Sequence, residues 1–367
     1  MLSKLENSTT LRWLGKQLFN REDPAAFFDP LLAPLDPMLV RQYVPARVER
    51  IEAETADTRT FTLKPAARWG GFCAGQHVTV SIDIDGRRHN RTFSLSCSPL
   101  RWQKEGLVTL TIKRLPGGLV TNWMHDHLEP GAVIGLGEAF GEFLIPGQPE
   151  PVLFIAGGSG ITPILSQLET MAAEQYHAPV TLLYFVRTQA DIIAAQRLHT
   201  LRQGWPAFSL SILATETGAA PRFLNDDHLD AVPGLRARRC YLCGPGGLME
   251  LATDLLHQRG IADDHIHCTF FAAPKAALAG DSLGGEVRFS RSDVTVTAEG
   301  EVSLLDIAEA ASLSPRYGCR MGICHQCSCT KTSGTVINRL TGKTSGPGEE
   351  KIQLCVSVPK GPVNLEL

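Results

Sequence analysis

Cys319, Cys324, Cys327 and Cys355 form a C-x4-C-x2-C run followed, 28 residues later, by a fourth thiol. Thiols at this spacing suit a tight loop wrapped round a common centre, unligated core cysteines being the plain alternative, and Gly318 and Gly322 supply the backbone freedom such a loop needs. Soft thiolates are the ligands of iron–sulfur clusters and of zinc. Cys329 falls off the pattern and reads as a spare buried thiol. His325, directly after a cysteine, does not provide the histidine pair of a Rieske centre. The first twenty residues show neither an apolar core nor a small-residue cleavage site, so the ten cysteines point to metal or redox chemistry rather than a disulfide framework.

The 367 residues leave room for two to four domains at roughly 100–200 residues each. A net charge of −3 gives no electrostatic case for nucleic acid or an anionic membrane as main partner. No apolar run approaches the roughly 20 residues that span a bilayer. Residues 1–43 read as a helical, Pro-rich extension with an apolar stripe of Leu2, Leu5, Trp13, Leu14, Leu18 and Phe19. From Ala46 the period is two, with short runs broken at Asp85-Gly86 and Pro116-Gly117-Gly118. This predicts an antiparallel β-barrel over 44–148, ending near Pro146-Gly147. Mostly apolar runs at 151–156, 179–186, 208–214 and 240–242, separated by helical segments at 161–174 and 190–202, predict a parallel α/β domain over 149–272. The small, Gly/Ala-rich stretch 273–285 reads as a linker, and 286–367 as a third compact region.

That third region resembles a plant-type ferredoxin, an α+β β-grasp fold. Val294–Thr297 reads as a strand, Ser303–Ala311 as a helix, Tyr317–Cys324 as the cluster loop, and Gln353–Val356 as a strand bearing the last ligand. The resemblance implies a 2Fe-2S cluster on Cys319, Cys324, Cys327 and Cys355; the same thiols could hold zinc.

Two further motifs lie at strand ends of the α/β region. Gly157-Gly158-Ser159-Gly160-Ile161-Thr162-Pro163 runs from a strand into a helix, where glycines admit a pyrophosphate to free amides; Pro163 suits a first helical turn. Tyr241-Leu242-Cys243-Gly244-Pro245 ends a later strand. Cys240 and Cys243 also spell C-x-x-C, but on a strand that spacing puts the thiols on opposite faces. Together these motifs resemble the NAD(P)-binding domain of the ferredoxin–NADP reductase family. The barrel resembles the flavin domain of the same family through Arg91-Thr92-Phe93-Ser94 and through Gly117-Gly118-Leu119-Val120-Thr121.

The resemblance implies FAD held by Arg91, Thr92, Phe93 and Ser94, with its pyrophosphate at Gly117, Gly118, Val120 and Thr121. It implies a nicotinamide dinucleotide at Gly158, Gly160, Thr162, Cys243, Gly244 and Pro245, with Ser94 and Cys243 as catalytic residues beside the reacting rings. Phe93 stands where the family usually has Tyr, so stacking is kept and a phenolic hydrogen bond lost. Arg187, at the end of the second α/β strand, suits a 2′-phosphate and favours NADPH, with NADH possible.

The domain order resembles reductase components of oxygenases and desaturases. It implies an enzyme passing electrons from NAD(P)H through FAD and the cluster to a separate iron enzyme. The extension, with Phe28-Asp29-Pro30-Leu31-Leu32, resembles reductases that serve membrane fatty-acyl desaturases. A ring- or chain-hydroxylating oxygenase and a non-catalytic redox relay or sensor are the alternatives. A cytoplasmic protein, in peripheral contact with the inner membrane face if the partner is a desaturase, is expected.

Overall fold

The computed structural model describes residues 29, 32, 34–41, 43–147, 149–216, 223–271, 283–313, 315–317, 322, 327–340 and 342–367. The expected N-terminal stripe, most of the linker, and Cys319 and Cys324 lie outside them. The chain divides into two compact units, the first running to Ala139 and including Leu165–Thr170, the second holding the remainder.

In the first unit, β1 (Val44–Thr55), β2 (Thr58–Pro65), β3 (His77–Ile84), β4 (Arg87–Ser94), β5 (Val108–Lys113) and β6 (Val133–Phe140) form one sheet in the order β4-β3-β6-β1-β2-β5. An antiparallel bridge from Leu95 to Leu110 links the end of β4 to β5 and closes the sheet into a barrel. Alternation fills it: Val78, Val80, Ile82 and Ile84 of β3 join Val48, Phe61, Leu63 and Leu110 in one apolar cluster. Helix α1 (Pro99–Glu105) starts where the Ser98 hydroxyl accepts the Leu100 N–H and stops at Gly106, whose φ is 67°. Helix α2 (Leu119–His127) buries Val120 and Met124 in the barrel core.

The second unit carries a parallel sheet in the order β11-β10-β7-β8-β9, from β7 (Val152–Gly157), β8 (Val180–Val186), β9 (Phe208–Ala214), β10 (Arg239–Cys243) and β11 (Ile266–Thr269). Every residue of β7 and β8 is buried, as strands covered on both faces require. The helices along this stretch of chain are α3 (Ile161–Ala173), whose Leu165–Thr170 segment counts with the first unit, α4 (Ala195–Gly204), α5 (Asp226–Asp230) and α6 (Gly246–Gln258). The helix expected from residue 190 starts only at Ala195. Gln189–Asp191 is instead a separate 3-10 turn, boxed by Thr188 and Asp191, and Ala194 has a left-handed φ of 57°.

A mixed sheet of the same unit has the order β13-β12-β16-β14-β15: β12 (Gly284–Phe289), β13 (Val294–Glu299), β14 (Ser328–Asn338), β15 (Glu350–Gln353) and β16 (Ser357–Leu365). Only β12 and β16 pair in parallel; α7 (Leu304–Ala310) is capped by Ser303. Two expectations need correction. Gly284-Gly285, read as linker, opens β12. A Cβ on Gly285 would stand 2.4 Å from the Gly361 carbonyl carbon, so these glycines serve a close backbone approach rather than flexibility. The Cys355 thiol, expected on a strand, comes from the turn between β15 and β16. Among the described residues no helix is long and apolar enough to cross a membrane.

Candidate functional site

In the barrel, β4 pairs with β3 so that Arg91 faces Val80, Thr92 faces Thr79, Phe93 faces Val78 and Ser94 faces His77. Arg91 and Phe93 therefore share one face of the strand, and Thr92 and Ser94 the other. Phe93 packs half-buried against the barrel core. Arg91 donates to the Asn90 carbonyl at 2.7 Å. The Thr92 Oγ1 and Ser94 Oγ atoms are buried without a hydrogen-bond partner, as is Thr79 Oγ1. An unmet buried hydroxyl costs about 1–3 kcal/mol, and the polar edge of a flavin would relieve that cost. The residues present fit the group.

Gly117, with φ of 71°, turns the chain into Gly118, the N-cap of α2; no side chain caps the helix there. The ladder begins with Asn122 N–H to Gly118 O at 3.1 Å, leaving the Leu119, Val120 and Thr121 amides ahead of it. That is an anion-binding end. The Thr121 hydroxyl is already engaged: it accepts the Leu115 N–H at 3.2 Å. Its first task is to shape the loop.

The glycine loops that follow β7 and β10 interlock. A Cβ on Gly160 would lie 2.0 Å from the Cys243 carbonyl oxygen and 2.8 Å from the Gly244 nitrogen. One on Gly157 would meet Pro245 Cδ and Leu248 Cδ2, both at 2.7 Å. Gly158 differs, with φ of 52° and open space beside it. Thr162 is buried and donates to the Ser159 carbonyl at 3.0 Å, so its hydroxyl braces the turn. Tyr184 Oη donates to the Gly158 carbonyl at 3.1 Å and accepts the Ile193 N–H at 3.3 Å. Sequence reasoning missed Tyr184, because its apolar run reads as plain core.

Arg187 is exposed and sits 3.1 Å from the Asp191 carboxylate. Burial would raise Asp191, but hydrogen bonds from Thr188 and Arg187 outweigh it and hold the carboxyl below its ordinary range. The pair i, i+4 was legible in the sequence only once the intervening turn was known. Cys243 is fully buried, and burial pushes its thiol well above the ordinary value. Burial also pushes Cys240 up to about 12. Both stay protonated at neutral pH. Cys240 belongs to the apolar cluster of Leu153, Leu242 and Met249, while Cys243 lies outside it with its carbonyl against Gly160.

In the mixed sheet, the Cys327 and Cys355 sulfurs lie 3.2 Å apart and are buried. A disulfide would bring them to about 2.05 Å, and two thiolates on one tetrahedral metal, each bonded at about 2.3 Å, lie about 3.8 Å apart. The pair is set for a shared metal after a small adjustment. Leu354 N–H donates to Cys327 O at 3.1 Å, and Gly322 N–H points at the Cys355 sulfur at 3.3 Å. Gln353 Nε2 holds the Gly322 carbonyl at 2.8 Å. Gly322 has φ of 75° and no room for a Cβ, which would meet Leu340 at 2.7 Å. Such amide–sulfur contacts fit an iron–sulfur site. Cys329 is buried on β14, where burial raises its thiol and its sulfur turns to the Thr330 carbonyl.

Comparison with known proteins agrees with this architecture. Residues 45–144 match the oxidoreductase FAD-binding domain, 154–254 the oxidoreductase NAD-binding domain and 287–360 the 2Fe-2S iron-sulfur cluster binding domain. An NADPH oxidoreductase of Mycobacterium tuberculosis is 33% identical over 343 residues, covering 92% of this chain and 88% of its own length. The glycine betaine monooxygenase reductase subunit of Pseudomonas aeruginosa is 29% identical over 87% of this chain and 94% of its own. The structure of phthalate dioxygenase reductase superposes with a TM-score of 0.65 at 23% identity, over 89% of this chain and 98% of that one. Fold and sites define an NAD(P)H-dependent electron-transfer oxidoreductase that uses FAD and a 2Fe-2S cluster. The chain belongs to the ferredoxin–NADP reductase-like family whose members end in a plant-type 2Fe-2S ferredoxin domain.

Proposed function

We propose that this protein draws electrons in pairs from NADPH and delivers them singly to a separate oxygen-activating iron enzyme. Bound FAD supplies the exchange between paired and single electrons, and the cluster a one-electron outlet. The chain's own residues hold and align. Arg91 and the first amides of α2 take the flavin phosphates, and Phe93 stacks on the ring. Thr92 and Ser94 give their unmet hydroxyls to its polar edge. Gly158 and the start of α3 take the dinucleotide phosphates, with Gly160 and Gly244 keeping the adjoining loops in register. Cys243, held as a neutral thiol, with Gly244 and Pro245, borders the nicotinamide and orients it without exchanging a proton. Arg187 answers the 2′-phosphate that distinguishes NADPH; NADH is the weaker donor. Cys319, Cys324, Cys327 and Cys355 hold the iron, with Cys327 and Cys355 on one metal ion. Alignment carries most of the rate.

The 3.2 Å sulfur pair is the observation that carries this reading, because it puts a metal outlet on the same chain as the flavin and nucleotide sites. Anaerobic stopped-flow mixing with NADPH, following flavin and cluster bands separately, tests it. Both bands should bleach in sequence. A cluster that stays oxidised beside a reduced flavin would overturn the intrachain route. A colourless metal in place of the red-brown cluster would favour zinc.

For the terminal acceptor, a membrane fatty-acyl desaturase is the first reading and a hydroxylating oxygenase the second. Relatives bearing monooxygenase-reductase names support an oxygen-activating acceptor and, between the two, the oxygenase. The desaturase reading draws on the N-terminal extension. Residues 44–367 number 324, so the 343-residue match to the mycobacterial oxidoreductase reaches into it. Acyl substrates would not enter this chain. Reconstitution with a desaturase and with an oxygenase, each scored by NADPH consumed per product formed, separates the two.

A further inference from the structure

The loop Gly157–Gly160 and the turn that follows β8 lie apart in sequence and meet at one oxygen atom. Tyr184, on β8, is wholly buried. Its hydroxyl donates to the Gly158 carbonyl at 3.1 Å and accepts the Ile193 N–H at 3.3 Å. A phenylalanine would fill the same space, so the ring accounts for the packing and the oxygen for the link.

At the glycine end, the bond fixes a peptide plane. The described peptides are trans, so a carbonyl and the N–H of the same peptide point in opposite directions. With Gly158 O turned to Tyr184, the Ser159 N–H faces away from it, at the approach to α3. Gly158 has a φ of 52° and open space where a Cβ would sit. Its carbonyl is held by hydrogen bonds, from Tyr184 and from the Ile161 N–H.

At the other end, the bond closes a turn. The Asp191 carboxylate accepts the Thr188 N–H at 3.0 Å, the Thr188 hydroxyl at 2.7 Å and the Arg187 guanidinium at 3.1 Å. The Thr215 and Glu216 amides hold the entry to the turn, at the Val186 and Arg187 carbonyls, at 2.8 and 2.9 Å. Tyr184 holds the exit, at the buried Ile193, next to the left-handed Ala194. Arg187 thus stands on a turn anchored at both ends.

We propose that the Tyr184 hydroxyl is a positioning group for nucleotide choice, setting the spacing between the amides at Gly158 and the guanidinium of Arg187. The proposal rests on the reading that these two places grip the diphosphate and the 2′-phosphate of NADPH. The two phosphate groups of such a ligand are tied together through one ribose. Two grips serve both at little cost only if their own spacing is already fixed. A nucleotide without the 2′-phosphate uses one grip and tolerates drift in the other.

The test measures dissociation constants of NADP+ and NAD+ on the full, oxidised, cofactor-loaded chain, where no turnover occurs. Y184F should weaken NAD+ about threefold and NADP+ about tenfold, so the ratio of the two constants shifts about threefold. In an R187A background the same substitution should weaken both about threefold and leave the ratio where R187A put it. Equal weakening of the two nucleotides by Y184F alone, no weakening, or a further shift of the ratio beside R187A would overturn the proposal. A second arm needs no variant to fold: saturating inorganic pyrophosphate, followed by amide hydrogen exchange. It should slow exchange in the glycine loop and also at Ile193; protection confined to the loop would overturn the link. The reading beneath fails separately, if the unsubstituted protein binds NADP+ no better than NAD+, if R187A leaves the ratio unmoved, or if pyrophosphate protects neither place.

Discussion

The chain has two glycine-bearing loops that the sequence marks for phosphate, and they use glycine for different ends. At Gly117-Gly118 the glycines turn the backbone and leave the amides of α2 uncovered; the added atom at Gly118 would meet a side-chain hydroxyl, Thr121 Oγ1, at 2.7 Å. At Gly157–Gly160 the loop is wedged against the backbone of Cys243 and Gly244, and the added atom at Gly160 would meet a carbonyl at 2.0 Å. One loop is open and adjustable, the other locked. A glycine motif read as a phosphate cradle conceals which of these it is.

Gly160→Ala should break the locked loop outright. We expect a loss of about 3 kcal/mol or more in the parallel domain, because two backbones must part, together with loss of NADPH-driven flavin bleaching. Gly158→Ala, strained but unobstructed, should cost only about 1 kcal/mol. Thermal melts of the two variants side by side decide whether locking, rather than glycine content, matters; equal losses would erase the distinction.

The open loop should fail more gently. Gly118→Ala is expected to weaken FAD about tenfold, or about 1.4 kcal/mol, with the barrel intact. Flavin fluorescence quenching on titration gives the affinity, and near-unchanged far-UV dichroism shows the fold.

A smaller effect belongs to the thiols flanking the locked loop. Burial raises Cys240 and Cys243 in the folded state, so their contribution to stability is complete below the unfolded thiol value near 9 and is lost as pH rises beyond it. Denaturant midpoints should fall between pH 8 and 10, and Cys240→Ala should remove about 1 kcal/mol of that decline. The smallest change is at the rim: Arg187→Ala should reduce the preference for NADPH over NADH about fivefold, read as a ratio of kcat/KM values, with NADH use unaltered.

Much of this was legible in the sequence, for physical reasons. Strands β7 and β8 are buried on both faces and so spell continuous apolar runs. The helix capped by Ser303 announces itself through a hydroxyl that accepts the Asp306 N–H at 3.2 Å. Strand β4 does not: Arg87-Arg88-His89-Asn90-Arg91 is polar on both faces, since much of it lies half-exposed, and only the family motif marks it. Gly284-Gly285 misled because a flexible linker and a tight strand crossing favour the same residue. The Arg187–Asp191 pair and the Tyr184 hydroxyl bonds depend on a turn that propensity reads as helix. At the thiols, spacing pointed to Cys327 and Cys355, whose sulfurs lie 3.2 Å apart, but not to the amide of Gly322, which meets the Cys355 sulfur, or to the side chain of Gln353, which holds Gly322.

Because Gly160 and Gly244 press one backbone into the other, the two ends of a dinucleotide would lean on a single rigid body. A designer wishing to exchange one pyridine nucleotide for the other has little to gain inside that joint. Any residue introduced there disturbs grip at the diphosphate and posture at the ring together. Freedom to retune lies outward, at the exposed Arg187, Gln189 and Ala190, where side chains can change without the joint being asked to move.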